Sequence, residues 1–199
     1  MAACSLAAPV STPQVVDVYA TSAAQPWMMK LYDCAAERSA ALRLTDSSSD
    51  AAIYIRIGEP DVLMTPAYQI DTEEILIATH RESPVQNLTL EEARSLFAGQ
   101  GDPSVRVWVY SSDEDIQKVF EQAVMAGRSV SSSASLAVSP QQMSDVLNAE
   151  SNAVGILPRH WKVGTARDVY SVGTVPVLAI VKEEPQGIVK ELVACLQKQ

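Results

Sequence analysis

The chain has 199 residues and a mass of 21.4 kDa, room for one compact domain or two small lobes that bury about 70% of their unfolded surface without a disulfide or metal scaffold. Hydrophobic residues make up 47% and charged residues 20%, ordinary for a soluble globular protein and too apolar for disorder. With 15 basic and 24 acidic residues the net charge is −9, which removes the electrostatic footprint for gripping nucleic acid or an anionic membrane face, and no apolar run is long enough to span a bilayer.

Residues 1–5 read M-A-A-C-S, and two small residues before a cysteine match the end of a bacterial lipoprotein cleavage site. On this reading Cys4 carries the lipid and an apolar signal segment precedes it in the native gene. The small, Pro-rich, uncharged stretch 5–14 then serves as a tether. The other reading is an N-terminus without such a role. With Cys4 assigned, Cys34 and Cys195 remain as an even pair, either a disulfide formed in an oxidising compartment or two separately buried thiols.

Strand and helix patterns alternate with short connections, the signature of an α/β fold. Residues 15–20 (V-V-D-V-Y-A) form a strand ending at Thr21-Ser22, and a helix over 24–37 follows with Pro26 in its first turn. A short strand at 41–45 and the loop Ser47-Ser48-Ser49-Asp50 precede an apolar strand, 51–57 (A-A-I-Y-I-R-I), closed by Gly58-Glu59-Pro60. Residues 74–79 (E-I-L-I-A-T) form the next strand. A helix begins at Asn87-Leu88-Thr89, formally a glycosylation sequon, where Thr89 and Glu92 fit a capping box, and it stops at Gly99. Alternation at 105–110 (V-R-V-W-V-Y) predicts a strand, and Ser111-Ser112 is expected to cap a helix over 113–125 that ends at Gly127. The serine-rich stretch 129–135 reads as a surface loop, followed by a short strand at 136–138. Ser139-Pro140 opens a helix running to about Asn148, 153–157 (A-V-G-I-L) is a buried strand, 175–181 (V-P-V-L-A-I-V) is the last long one, and 186–197 the final helix.

Residues for catalysis are missing from this pattern. His80 and His160 have no partner at ligand spacing, the cysteines make no C-x-x-C, and no nucleophile elbow, S-x-x-K, Walker loop or G-x-G-x-x-G occurs. The expectation is a protein that is not an enzyme and uses no metal or cofactor. Asp113-Glu114-Asp115 reads as a cation site or, more simply, as acids that the helix dipole favours at a helix start.

The segment 70–99, I-D-T-E-E-I-L-I-A-T-H-R-E-S-P-V-Q-N-L-T-L-E-E-A-R-S-L-F-A-G, resembles the phosphate-type solute-binding proteins of ABC transporters, in its strand, its Pro-Val-x-Asn-Leu-Thr stretch and its helix ending in Phe-x-Gly. Residues 152–158 (N-A-V-G-I-L-P) resemble that family's later strand, and 175–181 its return crossing. The resemblance implies a type II periplasmic-binding-protein-like fold: two α/β lobes joined by two crossing strands. Residues 15–77 plus 175–199 then form lobe one, 78–174 lobe two, and 1–14 the lipoprotein-like tether.

In such a fold the ligand lies between the lobes, at helix N-termini that follow strand ends. This points to Thr21, Ser22, Ser111, Ser112 and Ser139 as ligand-binding hydroxyls, although each also reads as a plain helix cap. Arg56 is the candidate charged contact, its other reading being a solvated or carboxylate-paired strand arginine; Arg81 and Arg159 matter only if they point into the cleft. Where the family carries an Arg-x-x-x-Ser-Gly-Thr stretch, this chain has Tyr110-Ser111-Ser112-Asp113-Glu114-Asp115. An anion there meets repulsion of about 1–4 kcal/mol per carboxylate, so the expected solute is neutral, zwitterionic or cationic and phosphate is disfavoured. The functional expectation is an extracytoplasmic, lipid-anchored, monomeric bacterial protein that captures a small polar solute for an ABC transporter permease, meeting the membrane only through its anchor and binding no nucleic acid. The alternative is a ligand-free sensor or protein-interaction module on the same fold.

Overall fold

Every expected strand is present, and the strands pair into one mixed sheet of eight in the order β2-β1-β3-β8-β4-β7-β5-β6. The computed structural model describes residues 13–198, so the lipidation assignment at Cys4 and most of the tether lie outside the described residues. At one end of the sheet β1 (Gln14–Ala20) runs parallel to both β2 (Ala40–Leu44) and β3 (Ile53–Ile57). At the other end β5 (Arg106–Val109) runs parallel to β7 (Ala153–Pro158) and to the two-residue β6 (Ser135–Leu136). Between them β4 (Ala67–Thr79) and β8 (Arg167–Val181) pair antiparallel along almost their whole length, and β3 and β7 join them antiparallel on either side.

The two crossing strands are longer than the sequence pattern indicated. β4 has 13 residues and β8 has 15, so each begins seven or eight residues before its apolar run. The added stretches mix Tyr, Gln, Asp, Thr and Glu without a period of two, and each is paired with the apolar run of the other strand rather than marked by a buried face of its own.

Helices cover the sheet where periodicity placed them. α1 (Pro26–Glu37) buries Trp27, Met28, Leu31, Cys34 and Ala35, spaced for one helical face, against β2 and α5 (Gly187–Leu196). Cys34 and Cys195 are bonded as a disulfide between these two helices, deciding between the two readings of that pair. α2 (Leu90–Ser95) has the expected capping box between Thr89 and Glu92 and passes into a π-type turn in which Gly99 takes φ 80°. α4 (Pro140–Ala149) is capped by Ser139, whose Oγ accepts from Gln142 N at 3.2 Å, and packs on β7.

α3 (Asp115–Phe120) departs from the expectation at both ends. Residues 111–114 form a turn closed by Glu114 N donating to Ser111 O at 3.0 Å, and Glu114, not Ser111 or Ser112, stands at the N-cap position. After Phe120 the helix widens into a π-type turn through Met125. This helix touches β7 in its own half and β3 in the other, which brings its acidic start against the first half of the sheet.

Candidate functional site

Strand alternation sets one wall of the site. In β1 and β3 the residues Val16, Val18, Ala20, Ile53, Ile55 and Ile57 are buried in the core, so Tyr19, Tyr54 and Arg56 stand on the opposite face. Tyr19 and Tyr54 are direct cross-strand partners with ring centroids 5.4 Å apart. Thr21 and Ser22 follow the end of β1, and Ser48 lies in the loop after β2. The acidic turn and start of α3 bring Asp113, Glu114, Asp115 and Lys118 opposite, and these ten residues enclose a polar pocket of about 170 Å³.

The expected hydroxyls meet acids across this junction. Thr21 Oγ1 donates to Asp115 Oδ2 at 2.7 Å, and Ile57 N donates to the same oxygen at 2.9 Å. Ile116 N donates to Asp115 Oδ1 at 2.8 Å, so a carboxylate only 3% exposed is held by three donors, two of them from the other half of the molecule. Ser22 Oγ donates to Glu114 Oε2 at 2.8 Å. Burial pushes the Glu114 carboxyl above its ordinary range, Asp115 and Asp113 add to the rise, and the Ser22 bond opposes it. Burial likewise raises Tyr54, with Arg56 opposing. Of the acids read in the sequence as helix-dipole partners, Glu114 and Asp115 are therefore bridges between the two halves, and only Asp115 lies in the first turn of α3.

Arg56 is the exception to this pairing. It is 7% exposed, lines the pocket, and its Nε is shielded without any hydrogen bond; among the described residues it forms no ion pair. Neither the solvated nor the carboxylate-paired reading of this arginine fits. Shielding Nε from water without a hydrogen bond is costly, and this guanidinium lies at the wall of a small polar space.

The remaining expected contacts separate. Ser111 and Ser112 are exposed in the turn before α3 and do not line the pocket, because that turn carries the acids inward instead; the Ser111 hydroxyl bonds to Asp113 and holds its carboxyl low. Ser139 caps α4 and its oxygen is already engaged there. Arg81 pairs with Glu82, and Arg159 with Glu74 and Asp168, both away from the pocket. Lys118, Tyr19, Tyr54 and Ser48 were missed by sequence reasoning; the alternation that flags Arg56 also places both tyrosines on its face.

A second set of contacts joins the halves. Trp161, in the short 3-10 turn after β7, donates Nε1 to Ala23 O at 2.9 Å, and His160 stacks on Trp27 with ring centroids 4.6 Å apart. His160 is anchored by Glu73, a carboxylate 1% exposed on β4, which accepts from its backbone N at 2.9 Å and pairs with its Nδ1. Asp71, also on β4, accepts from Trp27 Nε1 at 2.9 Å and Lys30 Nζ at 2.8 Å. Its burial raises the carboxyl, but the bonds from Lys30, Trp27 and Thr72 N outweigh this and hold it at about 2.

No protein-family model matches the sequence, and no curated protein does. Solved structures do match. A Clostridium perfringens protein described as a phosphate ABC transporter substrate-binding protein, solved with bound phosphate, superposes with a TM-score of 0.80 at 14% identity, covering 92% of this chain and 93% of its own. The fold is that of the type II periplasmic binding proteins. An ABC-type phosphate transport receptor from Vibrio cholerae matches this type II fold with a TM-score of 0.71 at 15% identity over 92% of this chain and 93% of that one. The regulatory domain of OxyR2 from Vibrio vulnificus, in its reduced form, matches with a TM-score of 0.70 at 9% identity over 96% and 99%. At such identities the likeness establishes the type II fold alone. None of these three descriptions is that of an enzyme.

Proposed function

We propose that this chain is a monomeric solute-binding protein that holds a small polar molecule in the pocket between its two lobes. It would work outside the cytoplasm on a lipid anchor at Cys4 and deliver its ligand to an ABC transporter permease. The observation that carries the reading is Arg56, a buried guanidinium without a hydrogen-bonding partner among the described residues, at the wall of a polar pocket between the halves of the sheet. The disulfide between α1 and α5 supports an oxidising compartment, and the lipid anchor rests on the M-A-A-C-S pattern. Phosphate is not the ligand in this reading, because three carboxylates share the pocket with two cations.

A second reading, a ligand-free sensor or interaction module, is favoured by one specific observation. The Thr21 and Ser22 hydroxyls and the Ile57 N–H already donate to Asp115 and Glu114. A thermal-shift screen against oxyanions, amino acids, sugars and metal ions separates the two, since a ligand of the folded state raises its stability by mass action. A saturable shift lost in Arg56→Gln supports solute binding; a flat screen in which Arg56→Gln leaves the melting temperature unchanged or raised supports the ligand-free module.

A further inference from the structure

The charges around the pocket are unevenly satisfied, and this unevenness specifies a class of ligand. On the cationic side, Arg56 has no hydrogen-bonded partner, and Lys118 makes no ion pair among the described residues. On the anionic side, both Asp115 oxygens are occupied by Thr21, Ile57 N and Ile116 N, whereas Glu114 uses only Oε2, for Ser22. Its Oε1 has no partner among the described residues. Beside these groups stand the rings of Tyr19 and Tyr54, whose faces attract a cation. The pocket thus offers, on one wall, a donor fork for a carboxylate with the tyrosine rings beside it and, from the acidic turn opposite, a carboxylate oxygen for a cation.

Size narrows the class further. At about 30 Å³ per water-sized group, the 170 Å³ of the pocket hold roughly six non-hydrogen atoms. Resting on the solute-binding reading, we infer that the site takes a small zwitterion of the size of glycine or alanine. Its carboxylate would lie on Arg56 and its ammonium between Glu114 Oε1 and the tyrosine rings. A simple anion satisfies Arg56 but adds negative charge beside three acids, and a simple cation leaves the guanidinium unpaired. A molecule carrying both charges answers both demands without changing the net charge of the site.

Calorimetry with glycine, L-alanine, propionate, ethylamine and inorganic phosphate on the folded protein tests this. The expected result is binding of glycine or L-alanine, with propionate and ethylamine each weaker by about tenfold or more, the loss of one charge-assisted contact. Arg56→Gln is expected to weaken L-alanine by about tenfold to a hundredfold. Glu114→Gln should weaken L-alanine, which loses its ammonium partner, while tightening propionate, which is relieved of one neighbouring negative charge. Arg56→Lys keeps the charge but loses the fork, so it should fall between wild type and Arg56→Gln, and it substitutes for Arg56→Gln should that variant fail to unfold cooperatively. Propionate or phosphate binding as tightly as L-alanine, with dependence on Arg56, overturns the zwitterion while leaving the solute-binding reading intact. Absence of heat from all five probes, alongside a thermal-shift hit for some other Arg56-dependent solute, does the same; absence from both assays removes both readings.

Discussion

Replacing Asp115 by Ala should loosen the junction between the two halves, and the structure sets the size of the effect. The carboxylate is 3% exposed and accepts from Thr21 Oγ1, Ile57 N and Ile116 N. Its removal strands the Ile57 amide, on a fully buried strand residue, and the buried Thr21 hydroxyl, each at about 1–3 kcal/mol. The Ile116 amide, in the first turn of α3 on an equally buried residue, loses its side-chain acceptor as well. Asp115→Ala is therefore expected to cost about 3–5 kcal/mol of unfolding free energy. Thr21→Val removes this donor and the oxygen that accepts from Ala24 N at 3.3 Å, an amide that keeps its bond to Thr21 O, and should cost about 1 kcal/mol. Together they should cost less than the sum by about 1–2 kcal/mol, because the double variant no longer strands the hydroxyl. Equilibrium unfolding in guanidinium chloride at neutral pH measures all three. Additivity within about 0.5 kcal/mol would show that the Thr21–Asp115 bond does not couple the halves, and a cost for Asp115→Ala below about 1 kcal/mol would refute the bridging role altogether.

Reduction of the Cys34–Cys195 bond frees a loop spanning 161 residues and should lower stability by about 2–5 kcal/mol; alkylation of either residue in the unreduced, denatured protein would contradict the pairing. Gly155→Ala would drive a Cβ into Met143 Sδ and bring it to 3.3 Å from Trp108 Cβ inside fully buried β7, an overpacking expected to cost about 1–3 kcal/mol by thermal or chemical unfolding, and an unchanged midpoint would mean that this part of the core gives way freely. Because the Asp71 carboxyl is held at about 2 in the folded chain, below its unfolded value of about 3.9, its stabilisation is complete above pH 4 and is lost as the pH falls toward 2. With 31% of the side chain exposed, this contributes about 1–2 kcal/mol. Asp71→Asn should flatten that part of the acid-unfolding profile, and an unaltered profile would remove Asp71 from the acid response.

Those elements whose residues alternate or repeat toward a single buried face were legible in the sequence. β1, β3 and β7 bury every inward residue, α1 presents its apolar stripe, and Thr89 and Ser139 announce their helices through local bonds of three residues' reach. The first halves of β4 and β8 were not legible, because each is held by the second half of the other strand, about 100 residues away in the chain. The start of α3 misled for a related reason. Two serines after a strand satisfy the local rule for a cap, but the acids following them are held by Thr21 and Ser22, more than 90 residues away. Local reading found Arg56 as the odd residue of an apolar strand; that its guanidinium has no partner is a property of everything around it.

The same bonds that join the halves also set which ligands can compete for them. A tetrahedral oxyanion presents several acceptor oxygens and needs a comparable number of donors. In this pocket Thr21 Oγ1 and the Ile57 and Ile116 amides already face Asp115, and Ser22 faces Glu114. An incoming phosphate would find two cations, Arg56 and Lys118, and the hydroxyls of Ser48, Tyr19 and Tyr54, and would meet three carboxylates. Asp115→Asn removes one of those charges while keeping an oxygen that Thr21 and Ile57 N can share, and its amide nitrogen, facing the Ile116 N–H, breaks that third bond. This variant should stay folded, lose less stability than Asp115→Ala, and bind phosphate more tightly than the wild type, since removing one carboxylate at intermediate dielectric relieves about 1–4 kcal/mol of repulsion. Calorimetry with phosphate on the two proteins at matched ionic strength provides the measurement. If wild type already binds at micromolar concentrations, the acids do not govern selectivity; if Asp115→Asn binds no better than wild type, Glu114 and Asp113 suffice to exclude the anion, and the charge at position 115 serves to join the lobes rather than to choose the ligand.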